Sequence, residues 1–179
     1  MRTPASIAGH PIHVMAVAIP IGLWIFSLVC DLIQVTGHNP DLWFTVAYIT
    51  MAGGIVGALL AAVFGFIDLT SLPRGHPRTI ALTHMGINLA VVALYGANLW
   101  IRTGDLDSML VPLVLSLAAI ALLSLSGWLG GELVHVYMVG VDADEATRRD
   151  LHARTRGAPR PSARDVHGEA TPHDARSRL

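Results

Sequence analysis

Long apolar runs alternate with short polar links along this chain. Val14 to Ile33 is interrupted only by Asp31, near its end. Leu42 to Ile67, Thr79 to Ile101 and Met109 to Gly131 hold no charged residue, and Glu132 closes the last of them. A helix rising about 1.5 Å per residue needs roughly 20 apolar residues to cross a hydrocarbon core about 30 Å thick, so each run predicts a membrane-spanning helix. The second is long enough to tilt or to project beyond the core. A cleaved signal peptide is the competing reading of the first run, but its n-region has only Arg2 and no small-x-small cleavage site follows Cys30. The links Thr36 to Asp41, Thr70 to Arg78 and Thr103 to Ser108 are short, as antiparallel neighbours require. The pattern therefore predicts an all-α integral membrane four-helix bundle, up-down-up-down, over residues 1–141. Residues 142–179 mix charges of both signs with Pro and Gly and have few large apolar side chains. Such a segment cannot offset its ordering entropy, which predicts a disordered tail with His152, His167 and His173 solvated.

Composition agrees with lipid as the solvent. The 179 residues are 53% hydrophobic and 14% charged, against about a quarter charged in soluble domains. A net charge of −1 supplies no basic field for nucleic acid. The single cysteine, Cys30, excludes a disulfide framework within one chain. Every basic residue is Arg; Arg2, Arg74, Arg78, Arg148 and Arg149 fall on one side of the membrane and Arg102 alone on the other. Positive-inside bias then places both termini in the cytoplasm, in a bacterial inner membrane, with Trp43 and Trp100 near the outer interface.

Packing cues are few. Gly53, Gly57, Ala61 and Gly65 form a small-residue stripe on the second span, and Gly127 and Gly131 repeat it on the fourth. Such stripes admit a neighbouring backbone, either within the bundle or in a homodimer. Pro20 and Pro112 fall inside spans, where local kinks are expected.

Ionisable groups within spans are costly and mark candidate function. Alternating topology brings His10 and His13, Asp68, His84, and Glu132 with His135 to one membrane level, the cytoplasmic end. His84, Asn88, Tyr95, Asn98 and Arg102 line one face of the third span, a polar stripe that should turn inward. Glu132 and His135 have the Glu-x-x-His spacing of carboxylate-bridged metal bundles, though one pair stands where those bundles use two. Haem b would take two imidazoles from His13, His84 and His135, with Asn88 in support. Zinc or iron would draw on His10, His13, Asp68, His84, Glu132 and His135. A proton path would add Tyr95, Asn98 and Arg102. Structural pairing of the same groups is the fourth reading. Ser124 and Ser126, mid-helix, are expected to bond to their own backbone, not to act as nucleophiles. Gly130-Gly131 lacks the strand and Lys of a phosphate loop.

These residues resemble a family of bacterial membrane proteins, domain of unknown function 2231. The likeness rests on Gly9-His10-Pro11-Ile12-His13 with Ile19-Pro20-Ile21-Gly22-Leu23, on Phe64-Gly65-Phe66-Ile67-Asp68, on His84 with Asn88, and on Gly127-Trp128-Leu129-Gly130-Gly131-Glu132-Leu133-Val134. It covers residues 9 to about 141. The resemblance implies a four-span domain, sometimes associated with redox proteins, of no established activity. Relatives tend to carry Pro where this chain has Val14, and a His about where Tyr137 stands; here His135 is the nearest. The combined expectation is a redox-linked haem- or metal-binding membrane protein with a redox protein partner. The alternative is a non-catalytic membrane scaffold or partner-binding module.

The Arg asymmetry yields a topology prediction. A reporter fused after Val141 should be active in the cytoplasm, and one inserted between Thr103 and Ser108 on the outer side; a fusion after Val141 exposed outside intact cells would reject this orientation.

Overall fold

The computed structural model describes residues 3–8, 10–104 and 108–140, so the segment 142–179 expected to be a tail lies outside the described residues. A two-residue hairpin opens the chain, β1 (Ser6–Ile7) pairing antiparallel with β2 (His10–Pro11). Helices follow as α1 (Ile12–Ala16), α2 (Ala18–Val35), α3 (Pro40–Ser71), α4 (His76–Ile101) and α5 (Leu110–His135). With α1 and α2 taken as one segment, Ile12–Val35, four helical stretches are long and apolar enough to cross a membrane, as the hydrophobic pattern predicts.

Proline explains the break in the first span and the lack of one in the fourth. Pro20 has no N–H for the carbonyl of Ala16, the residue at which α1 ends. The expected kink therefore appears one turn before Pro20. Pro112 instead occupies the first turn of α5, where its missing N–H would have had no helical partner, so no kink is required. Pro40 and Pro77 start α3 and α4 in the same way. The α3–α4 link, Leu72 to Gly75, turns at Gly75, whose φ of +146° is left to glycine.

The helices form a square: α2 and α4 each lie beside both α3 and α5, and face each other across the diagonal. Large apolar side chains such as Ile19, Phe26, Leu60, Val63 and Leu89 point outward, as lipid contact requires. The small-residue stripe on α3 is used inside the bundle. Cβ atoms built on Gly53 and Gly57 would stand 3.3 Å from Leu23 and from Ile19 and Pro20, and one on Gly54 would meet the Trp24 indole. By contrast, Gly127 and Gly131 meet nothing within 4 Å. Between them, Trp24, Met51, Val91, Tyr95 and Ala119 fill the middle of the bundle.

An approximate twofold relation organises this interior. His84 follows His13 by the 71 positions that separate Arg102 from Asp31. The same step takes Pro20 to Val91, Trp24 to Tyr95 and Ser27 to Asn98, and all of these are buried. A second constant step takes Ala47, Met51, Gly54 and Ala61 on α3 to Pro112, Ser116, Ala119 and Ser126 on α5, again buried throughout. Equivalent residues meet across the diagonal at three depths. The His13 and His84 rings stand 6.4 Å apart at one end, Trp24 stacks on Tyr95 at 4.5 Å in the middle, and Asp31 pairs with Arg102 at the other end. The bundle is thus two helical hairpins, α1–α3 and α4–α5, entering the membrane in the same sense.

The far end closes on charge. Arg102 donates through Nη2 to both oxygens of Asp31, at 2.8 and 2.7 Å, with neither side chain exposed. Its Nε donates to Asn98 Oδ1 at 2.9 Å, Ser116 donates to Asp31 Oδ2 at 3.2 Å, and the guanidinium lies over the Phe44 ring. Asn98 in turn donates to Ser116 Oγ and to the carbonyl of Pro112.

Two measurements test this packing. Gly57→Leu drives a side chain into Ile19 and Pro20, so it should lower stability by about 1–3 kcal/mol; an unchanged melting temperature in detergent would place the stripe against lipid. Asp31→Ala or Arg102→Ala leaves one buried charge alone and should cost about 3–5 kcal/mol. The exchange of Asp31→Arg with Arg102→Asp should recover part of that loss, because the two positions are equivalent. An exchange variant no more stable than the single ones would refute the twofold relation at this pair.

Candidate cofactor site at the histidine end

His13 lies on α1 and His84 on α4, and each ring reaches a main-chain carbonyl of the next span, α3 for His13 and α5 for His84. His13 Nδ1 is 2.8 Å from the carbonyl oxygen of Ala61, and His84 Nδ1 is 2.8 Å from that of Ser126. In both cases a glycine four residues further along makes room for the ring. A Cβ on Gly65 would come within 2.8 Å of the His13 ring, and one on Gly130 within 3.2 Å of the His84 ring. The twofold relation therefore covers the histidines, their carbonyl partners and their glycine seats.

The partners fix the protonation pattern. A carbonyl oxygen only accepts, so each Nδ1 carries a hydrogen and Nε2 is the ring nitrogen left to bind a metal. This arrangement is common in metal-ligating histidines, whose other ring nitrogen donates to a backbone carbonyl or carboxylate.

Asn88 makes the two rings unequal. Its Nδ2 donates to the carbonyl of His84 at 2.9 Å and to Ser126 Oγ at 2.7 Å, and stands 3.1 Å from His84 Nε2. The equivalent position beside His13 is Val17, which has no polar side chain. Ser126 Oγ also lies 2.9 Å from His84 Nδ1. Ser124 bonds to its own helix through the carbonyl of Ile120, as expected, whereas buried Ser126 joins the histidine network, which its position alone did not signal.

The other candidate ligands go elsewhere. Asp68 Oδ1 accepts the backbone N–H of Ala5 at 3.0 Å and so ties the N-terminal hairpin to the end of α3. His10 is exposed, with Nδ1 3.1 Å from the carbonyl of Ala8. His135 is exposed in the last turn of α5, and Glu132, half-buried, accepts the N–H groups of Val136 and Tyr137 through its main-chain carbonyl. Tyr137, standing where relatives tend to carry a His, faces the His76 ring at 6.0 Å; partial burial and then the Glu132 charge push its phenol up. Among the described residues no three His, Cys, Asp or Glu side chains gather closely enough to hold a metal ion. Of the acid and histidine cluster expected at this level, the structure brings together His13 and His84, supported by Asn88 and Ser126. Tyr95, Asn98 and Arg102 do turn inward, but the aromatic stack and Val91 separate them from the histidines.

No curated protein and no solved structure matches the chain. The family model described as a predicted membrane protein of domain of unknown function 2231 matches residues 9–143. Those residues take in β2, both histidines and all four membrane-length helical stretches, and the chain belongs to that family.

Proposed function

We propose that the chain is an electron-carrying membrane protein that holds the iron of haem b between His13 and His84, at the cytoplasmic end of the bundle in a bacterial inner membrane. The observation that carries this reading is the pair of imidazoles on opposite helices, each with Nδ1–H on a backbone carbonyl and rings 6.4 Å apart. The spacing suits one metal between two rings. A metal–nitrogen bond of about 2.0 Å on each side places two imidazole centroids about 6 Å apart.

The number of donors favours haem over a bare metal. Protein zinc sites use three or four side-chain ligands, and among the described residues only two stand together here, without a carboxylate. A haem brings its own equatorial nitrogens and asks the protein for axial ligands alone. When bound it would supply one-electron chemistry, with potential set by axial ligands and burial. The chain's own part is to orient both imidazoles: Ala61 and Ser126 hold Nδ1, and Gly65 and Gly130 seat the rings. A redox protein is the partner this chemistry calls for.

One observation favours the scaffold alternative. Asn88 already satisfies His84 Nε2, so that ring is fully bonded without any metal.

Full-length protein purified from haem-replete cells should show a Soret band, and the double variant His13→Ala with His84→Ala should lose it. A colourless wild-type chain that also fails to take up added haem would leave the scaffold reading standing.

A further inference from the structure

Asn88 has more acceptors than hydrogens. Its amide offers two N–H groups to three atoms, the His84 carbonyl at 2.9 Å, Ser126 Oγ at 2.7 Å and His84 Nε2 at 3.1 Å. The contact to Nε2 is the longest, and it is the surplus one. If that contact opens, both hydrogens remain satisfied by the carbonyl and the hydroxyl, so no buried donor is stranded. If it closes, the amide competes directly for the lone pair a metal would use. His13 has no such competitor, because Val17 occupies the equivalent place on its own helix. The carbonyl partners and glycine seats of the two rings match, and the one other polar difference is the Ser126 hydroxyl, 2.9 Å from His84 Nδ1, where His13 has Ala61.

We infer that Asn88 makes His84 the exchangeable ligand of the pair, so that the site admits a small neutral diatomic ligand on the His84 side while His13 keeps the iron. Asn88 is thereby a positioning residue that acts through His84. This inference rests on the haem reading and sharpens it, since a symmetric bis-histidine site would serve electron transfer alone.

Carbon monoxide is the probe, applied to the full chain in detergent with ferrous haem b. The wild-type protein should bind it readily. Asn88→Val gives His84 the neighbour that His13 has in Val17 and should slow carbon monoxide association by about tenfold, the lower end of what residues behind a ligand commonly control, while raising the low-spin fraction in the absorption spectrum. His84→Ala should retain haem and bind carbon monoxide at least as fast as wild type; His13→Ala should lose haem. Equal haem loss in His13→Ala and His84→Ala would overturn the inequality of the ligands, and so would an Asn88→Val protein whose carbon monoxide kinetics and spin state match wild type. Those results leave the haem site itself intact. A wild-type chain that takes up no haem removes the haem reading and this inference together.

Discussion

Within a bilayer no water is present to satisfy a polar group, so each one must find its partner inside the protein. Asp31 and Arg102 meet that constraint as a charge pair with no exposed side-chain surface, Arg102 Nη1 being the one nitrogen of the pair left without a hydrogen-bond partner. Taking both out of water costs several kcal/mol each, and their attraction offsets this only because further groups complete the geometry. Asn98 and Ser116 are those groups, and they fix α2, α4 and α5 in one register at that end. With that register set, Trp24 stacks on Tyr95 and the two histidines arrive at matching depth at the opposite end.

The four spans were legible because their signal is length and apolar composition, which the bilayer imposes irrespective of packing. His13 and His84 were legible for a related reason: alternating spans put the starts of the first and third helices at one level. The same reasoning applied to the opposite end pairs Asp31, an interruption of the first run, with Arg102, the last residue of the polar stripe on the third. The rest of the expected cluster depended on facts the sequence does not carry. Asp68 is drawn off by the backbone of Ala5, and His135 turns outward at the last turn of α5. Ser126 was hidden by the ordinary habit of helical serines, which Ser124 obeys.

The twofold relation is nearly silent in the sequence. Along the first and third spans the two halves share His13 with His84, Leu23 with Leu94 and Leu28 with Leu99, and little else between His13 and Arg102. Lipid-facing positions tolerate any apolar residue, so identity there decays without consequence for the fold. Burial shows what identity does not: inward positions of α3 and α5 are equivalent, mostly small on both helices, ending in the Gly65 and Gly130 seats.

Opposite charges at equivalent positions also determine which hairpins can associate. Two copies of the first hairpin would bring two carboxylates together on the axis, and two copies of the second would bring two guanidiniums, each an uncompensated like-charge contact in a dry interior. Only the mixed pairing is neutral. In a membrane crowded with newly made chains, this one contact sorts each hairpin toward its unlike half and against exchange with its own kind.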